Sequence, residues 1–267
     1  MTVFVTAFLD IGRNDWKEFQ RTTNTYVESF LRLYNQIRQL RTTETLVVFL
    51  DEKLIQSVSA SLVDRASLAD RASWITIVPI NEKFMMENSP LWKRLPREIE
   101  IMNSTEYKNL MKDRLQFPEH NNPRYTLINH AKIDFVAIAM EMLPLDEHFC
   151  WVDFGYCSSE RLIPNKITME KYDKNTVCYT LINQLDNNDR YIMYTLQMAP
   201  EKFGGFFFHG NRDTLTRYRK LYHEIHNDFQ LNNIADDDQH IAMRCYFAQP
   251  ELFSLYHLGA WHAAFTY

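Results

Sequence analysis

The chain has 267 residues, of which 46% are hydrophobic, 14% aromatic and 24% charged, and its formal net charge is −5. This composition excludes a disordered protein, because it supplies enough apolar surface for a sizeable core. The acidic balance argues against a nucleic-acid partner, since nucleic-acid-binding proteins usually carry a strongly basic face.

The first residues and the cysteines indicate the cellular compartment in which we expect the protein. Residues 1–13 have no basic leader and no cleavage site of a signal peptide, and no run reaches the roughly 18 to 20 apolar residues that span a bilayer. The four cysteines lack C-x-x-C spacing and are too sparse for a disulfide scaffold. We therefore expect reduced thiols in a cytoplasmic protein without a transmembrane segment, which meets any membrane only as a peripheral protein.

The first part of the chain alternates predicted strands and helices. Residues 3–8 are β-branched and aromatic and predict a strand followed by a turn. Apolar residues at alternating spacings of four and three over 19–37 predict an amphipathic helix, and residues 45–50 and 74–80 predict two more strands. This order favours a parallel sheet flanked by helices, in which ligands bind at the carboxyl ends of the strands.

The middle of the chain is less regular. Four prolines within residues 81–125 predict an irregular insertion with one short helix near 106–115. A helical stripe then covers 127–142 and leads to a strand at 148–152.

The last third of the chain contains further predicted elements. Residues 176–182 and 190–197 have the composition of strands around an Asp-Asn-Asn-Asp turn. Helices are predicted over 213–229 and 241–247.

Three absent motifs narrow the possible functions. The chain has no Walker-type GxxxxGK[ST], no GxGxxG after the first strand and no GxSxG elbow. Kinase-like, dehydrogenase and α/β-hydrolase functions therefore lose support.

Asp153 directly follows the predicted strand at 148–152, so its carboxylate lies at a ligand-binding edge. It either caps a turn or holds a divalent metal, and we favour the metal because an unpaired carboxylate is costly to bury. His257 and His262 cannot both face one way on a regular element. Either could complete the metal shell, and His257 is preferred.

Two short polar segments are further candidates. The chain has only six glycines, so the adjacent pair Gly204 and Gly205 predicts either a loop close to a ligand or a tight turn. Asp236, Asp237 and Asp238 precede a predicted helix and can cap it. Three neighbouring carboxylates also repel one another, which raises the pKa of at least one and suits a general base.

Several segments occur in an order that resembles one family. They are VTAFLDIGR, LVVFLD, INHAKIDFV, WVDFGY, FGGFF and a late DDDQ followed by PELF. Their order resembles the HtrL/YibB family of bacterial proteins, itself similar to GT-A glycosyltransferases, over nearly the whole chain. The resemblance implies an α/β, GT-A-like, Rossmann-like domain over residues 1–267, with a mostly parallel sheet flanked by helices. Residues 1–155 would form the nucleotide-binding half and 156–267 the acceptor-binding half.

The activity implied by the resemblance is glycosyl transfer in glycan biosynthesis. The donor would be a nucleoside diphosphate sugar, a UDP-sugar first of all, and the acceptor a hydroxyl of a lipopolysaccharide, capsular or glycoprotein glycan. Mn²⁺ or Mg²⁺ would assist. Two alternatives stay open, namely metal-dependent phosphoryl or nucleotidyl transfer and a non-catalytic protein that binds sugars or nucleotides.

The resemblance also implies roles for individual residues. Its donor-binding positions are Thr6, Ala7, Phe8, Arg13, Asp51, Asn129 and Lys132, and the glycine pair Gly204 and Gly205 would join them. Lys132 would meet a phosphate and Asp51 the base or ribose. Asp153 corresponds to the metal-binding Asp-x-Asp of GT-A enzymes, although only one acid is present here. Asp237 and Asp238 both fall where these enzymes place the acid that faces the acceptor.

Overall fold

A computed structural model describes residues 1–39, 44–63, 74–164, 167 and 169–265. Within these ranges, one seven-stranded sheet has the order β3-β2-β1-β4-β6-β5-β7. The strands are β1 (Thr2–Phe8), β2 (Glu44–Asp51), β3 (Ile75–Ile80), β4 (His148–Val152), β5 (Val177–Leu181), β6 (Phe203–Asn211) and β7 (Phe253–His257). Strand β6 is antiparallel to both of its neighbours, and the other pairs are parallel. The expected α/β fold with a mostly parallel sheet is confirmed.

Helices flank this sheet on both faces. They are α1 (Thr23–Arg38), α2 (Ile55–Val63), α3 (Glu82–Asn88), α4 (Leu95–Asn103), α5 (Thr105–Met111), α6 (Pro118–Asn121), α7 (Pro123–His130), α8 (Lys132–Met142), α9 (Ile192–Met198), α10 (Arg212–Leu231) and α11 (Asp238–Ala248). In the described part of the chain, no helix combines the length and apolar character needed to cross a membrane.

The sheet separates two apolar cores because side chains alternate between the faces of a strand. On β1, Val3 and Val5 belong to the core that also contains residues of α8, α10 and α11. Phe4 points to the other face and joins the core that contains residues of α1 and α2. Strand β1 is therefore buried on both sides, as a central strand of an α/β sheet should be.

The strand order reverses between β1 and β4. Strands β2 and β3 lie on one side of β1, whereas β4 lies on the other. In open α/β sheets, a crevice forms outside the carboxyl ends of the strands at such a reversal, and ligands bind there. The loops that follow Phe8 and Val152 border this crevice.

The prediction of an irregular insertion over 81–125 is wrong. This segment forms α3 to α6 and the first turn of α7. Pro96, Pro118 and Pro123 each stand in the first turn of a helix. Proline is tolerated there because the first N–H groups of a helix have no intrahelical acceptor. The prolines therefore begin helices rather than interrupt them.

The strand predicted at 190–197 is also wrong, since α9 occupies most of it. Asp186 and Asp189 form a capping box on the turn that precedes α9. This cap, together with the burial of Thr195 and Leu196, overrides the β-branched composition of the segment.

Two predicted helices have different bounds. The first begins at Thr23, where the Thr22 hydroxyl accepts a hydrogen bond from the Thr25 N–H, so Phe19 lies outside it with φ of 55°. The helix predicted over 127–142 is divided at Ala131 into α7 and α8. This division makes Lys132 the first residue of α8.

Candidate functional site

Two adjoining cavities open at the reversal point of the sheet. The first cavity is bordered by the end of β1, from Ala7 to Ile11, and by residues 153–155 after β4. The second cavity lies beside it and is bordered by Gly205 and by residues 237–239 at the start of α11. Both cavities share Arg21, Tyr125, Asn129, Lys132, Asp153 and His262. The shared residues form the wall between the two cavities.

The ammonium of Lys132 occupies the centre of this wall. Its Nζ lies 2.8 Å from the Gly205 carbonyl oxygen and 2.8 Å from Asp238 Oδ2. Asp153 Oδ1 is 3.2 Å away. Burial disfavours the charged form, but the charges of Asp153 and Asp238 outweigh it and raise the pKa of Lys132 above its usual value. The surroundings of Lys132 therefore favour its charged form.

Asp238 and its neighbour Asp237 have different surroundings. Asp237 caps α11, since its Oδ1 accepts the His240 N–H at 2.8 Å. Asp238 instead faces Lys132, and both aspartates border the second cavity. Burial raises the pKa of Asp238 to about 6, against the opposing effect of Lys132. The structure thus distinguishes Asp238 from Asp237, whereas the sequence left both as equal candidates for the acid that faces the acceptor.

Asp153 is held at the carboxyl end of β4. Its backbone N–H donates to the Phe206 carbonyl oxygen at 3.0 Å, which fixes it against β6. Trp151 Nε1 donates to Asp153 Oδ1 at 2.7 Å, and Lys132 contacts the same oxygen. Asp153 therefore borders both cavities in a fixed orientation, as expected for a residue at this edge.

Gly204 and Gly205 do not form the expected loop or tight turn. Both lie inside β6, where a Cβ on Gly204 would come within 2.5 Å of Thr180 Oγ1. A Cβ on Gly205 would come within 2.9 Å of Asp238 Oδ2. Real Cβ atoms essentially never make contacts this short, so Gly205 lets the start of α11 approach the sheet. Gly205 contributes to the site through this approach and through its carbonyl oxygen.

Four of the expected donor-binding residues besides Lys132 border the first cavity, namely Ala7, Phe8, Arg13 and Asn129. The Arg13 guanidinium donates hydrogen bonds to the Phe19 carbonyl oxygen and to the Tyr26 hydroxyl. Its guanidinium also lies 5.2 Å from the centre of the Tyr125 ring. These contacts orient Arg13 beside the cavity.

Thr6 and Asp51 do not border either cavity. Thr6 lies within β1 and is fully buried opposite Val48. Asp51 accepts hydrogen bonds from the backbone N–H groups of Asp10 and Lys53. Asp51 therefore supports the loop after β1 and does not itself line the first cavity.

Arg21 is a site residue that sequence reasoning missed. It borders both cavities and is exposed, and within the described ranges it makes no hydrogen bond or ion pair. Its guanidinium lies 5.9 Å from the centre of the Tyr26 ring. Arg21 precedes α1 and carries no motif, so no local pattern could have identified it.

The structure places the two candidate histidines at different distances from Asp153. His257 ends β7, which is separated from β4 by β6 and β5 and thus lies about 14 Å from it at the usual strand spacing. The structure does not bring His257 to Asp153. His262 borders both cavities instead, at φ of 62°, with its ring 5.1 Å from that of Phe206. Burial lowers the pKa of His262, against the opposing charge of Asp153.

The donor set around Asp153 fits a divalent cation poorly. Within the described residues, two groups of three His, Cys, Asp or Glu side chains bring their ligand atoms within 4.8 Å of one another, and Asp153 belongs to neither. One group is Asp236, Asp237 and His240, and the other is Glu98, His130 and His226. Mn²⁺ or Mg²⁺ prefers several converging oxygen ligands. The metal role of Asp153 stays a prediction.

Two members of the first group, Asp236 and His240, form an internal ion pair. His240 Nδ1 lies 3.0 Å from both carboxylate oxygens of Asp236. Burial opposes protonation, but the charge of Asp236 prevails and raises the pKa of His240 to about 9. The pair anchors the first turn of α11 and so helps to position Asp238.

All 267 residues match the model of the family described as "Bacterial protein of unknown function (HtrL_YibB)". The chain belongs to this family. It is also similar to Protein HtrL of Escherichia coli strain K12, with 26% identity over 97% of this chain and 88% of the relative. The resemblance to the HtrL/YibB family inferred from the sequence is thereby confirmed. The HtrL_YibB description gives no activity, so function has to be argued from the two cavities.

Proposed function

We propose that this protein is a glycosyltransferase that moves a sugar from a nucleoside diphosphate sugar, a UDP-sugar first of all, to a hydroxyl of a glycan. The observation that carries the proposal is the meeting of two cavities of different charge at Lys132 and Asp153, with Asp238 on the side of the second cavity. The parallel half of the sheet supports the proposal, because nucleotides bind at such a reversal of strand order in Rossmann-like folds.

The first cavity suits the anionic donor. Its charged residues are three cations and two carboxylates, namely Arg13, Arg21, Lys132, Asp10 and Asp153. Aromatic side chains of Phe8, Tyr26 and Tyr125 lie beside them. A diphosphate would meet the cations, and an aromatic wall would pack against a base or a sugar.

The second cavity suits the acceptor. Its charged residues are two cations and four carboxylates, namely Arg21, Lys132, Glu119, Asp153, Asp237 and Asp238. Trp261 also borders it and offers a face on which a sugar ring could stack. An acidic, aromatic cavity favours a neutral polyhydroxyl ligand over a second phosphate.

The proposed chemistry uses Asp238 as general base. The bond between the sugar C1 and the diphosphate oxygen breaks, and its electron pair leaves with the diphosphate. The acceptor oxygen bonds to C1, and its proton passes to Asp238, which is ionised at neutral pH because its pKa is about 6. Lys132 and Arg21 would offset the charge of the leaving diphosphate.

The first test is thermal-shift measurement with a panel of nucleoside diphosphate sugars, followed by a transfer assay with the stabilising donor. A ligand that binds the native state raises the melting temperature in proportion to its affinity. Stabilisation by one donor, together with transfer that Asp238→Asn abolishes, is expected. Donor binding without any transfer would favour the non-catalytic binding protein, and no response to any donor would refute the proposal.

The cytoplasmic location inferred from the sequence belongs to the same proposal. All four cysteines are buried free thiols, as expected for a reducing compartment. Fractionation of cells that express the tagged chain would test it, since a secreted or outer-membrane pool would contradict this location.

A further inference from the structure

The ammonium of Lys132 is surrounded by three oxygen atoms. It donates hydrogen bonds to the Gly205 carbonyl oxygen and to Asp238 Oδ2, both at 2.8 Å, and it forms an ion pair with Asp153 Oδ1 at 3.2 Å. The acceptors come from β6, from α11 and from the loop after β4. Lys132 thus joins three separate elements at the wall between the cavities.

The same position is where a divalent cation would have to join the two carboxylates. Asp153 and Asp238 both form ion pairs with Lys132 Nζ, and Asp153 Oδ1 also accepts a hydrogen bond from Trp151 Nε1. A metal shared by these carboxylates would need to displace the ammonium, and two close cations would repel each other. The residues therefore fit a fixed lysine better than a shared metal.

We propose that Lys132 takes the place of a divalent cation in this protein, so that a nucleoside diphosphate binds without metal. This inference rests on the proposed function. Arg21 supplies the second positive charge, because it borders the first cavity and makes no hydrogen bond or ion pair among the described residues. The longest ammonium contact, the one to Asp153, is the one that an incoming phosphate oxygen would replace.

The geometry also explains the single acid of the WVDFGY segment. A second metal-binding carboxylate near Asp153 would add negative charge beside the diphosphate without a cation to offset it. Lys132 already balances one of the two carboxylates that it contacts. One acid at the end of β4 is therefore sufficient to orient the lysine.

The test measures UDP binding by isothermal titration calorimetry on the unaltered protein, first in excess EDTA and then with Mn²⁺. We expect the two dissociation constants to agree within about twofold, far below the tenfold that corresponds to about 1.4 kcal/mol. UDP binding that appears only with Mn²⁺ would overturn the inference and leave the proposed glycosyltransferase intact. Absence of UDP binding under both conditions, and of any other nucleoside diphosphate, would refute both.

A second experiment removes the ammonium and keeps an unbranched side chain of similar length. Lys132→Met should lower UDP affinity in EDTA by about tenfold or more, since a charged contact is lost. It should also create Mn²⁺ binding between the freed carboxylates, detected by electron paramagnetic resonance and absent in Lys132→Met combined with Asp153→Asn. If Lys132→Met does not fold, the calorimetry of UDP binding to the unaltered protein still tests the inference. Mn²⁺ bound by the unaltered protein and lost with Asp153→Asn would contradict the inference.

Discussion

Asp238 Oδ2 lies 2.8 Å from Lys132 Nζ, although 106 residues separate them in the chain. The contact links the first turn of α8 to the first turn of α11 across the carboxyl ends of the sheet. The two neighbouring aspartates therefore have different partners, because Asp238 contacts Lys132 whereas Asp237 caps α11.

Replacement of Asp238 by asparagine should remove the general base and keep the fold. Lys132 retains its contacts with Gly205 and Asp153, so donor affinity should change little. Transfer should fall by about 10² to 10⁴, the usual contribution of general base catalysis. Steady-state kinetics with the donor found by thermal shift measures this loss.

Asp237→Asn is the matched control. Asparagine caps helices about as well as aspartate, so α11 and the transfer rate should be preserved. A loss of transfer in Asp237→Asn as large as in Asp238→Asn would show that the base has been assigned to the wrong residue.

The pH dependence of transfer should report the Asp238 carboxyl. Burial raises its pKa to about 6, and only the ionised form can accept a proton. We therefore expect kcat/KM to rise about tenfold per pH unit below pH 6 and to level off above it. A profile that remains flat between pH 4.5 and 7, with the protein still folded, would argue against Asp238 as the base.

Gly205→Ala should reduce transfer more than it reduces stability. The new Cβ would come within 2.9 Å of Asp238 Oδ2 and displace the base from Lys132. Gly210→Ala, in the same strand, would instead meet Thr214 Oγ1 at 2.9 Å, away from the cavities. Melting temperatures and kcat for both variants separate the two effects. If the ratio of activity loss to stability loss were the same for Gly205→Ala and Gly210→Ala, the positioning role of Gly205 would be refuted.

Arg21→Ala should weaken donor binding by about tenfold, since a charge-assisted contact to a phosphate is lost. Stability should be unaffected, because Arg21 is exposed and makes no hydrogen bond among the described residues. Lys17→Ala removes an exposed cation that does not border either cavity and serves as control. Calorimetric titration with UDP compares them, and equal affinities for the two variants would exclude Arg21 from the donor site.

The Asp236–His240 pair predicts a pH-dependent contribution to stability. The pKa of His240 is raised to about 9 in the folded protein, above the ordinary value of 6.5. The contribution is therefore complete below pH 6.5 and is lost as the pH rises toward 9. Asp236→Asn should lower the free energy of unfolding by about 3 to 5 kcal/mol at pH 6. Denaturant titrations at pH 6 and pH 9.5 test this, and an equal loss at both values would contradict the charged pair.

The sequence by itself determined much of the fold. Alternation of apolar strands and amphipathic helices established the parallel α/β sheet, because side-chain burial follows the period of each element. The position of Asp153 at the end of a buried strand followed from the same reasoning, since an apolar run that ends in an acid places that acid at the edge of the sheet.

Only the tertiary structure decided which residues meet. Lys132 is brought to Asp238 by the break at Ala131 and by the close approach of α11 to Gly205, and neither is visible as a local pattern. His262 rather than His257, and Arg21 rather than Thr6, border the cavities for the same reason. Local periodicity specifies the face that a residue occupies, whereas contacts between distant elements depend on how the packed helices and strands are placed against each other.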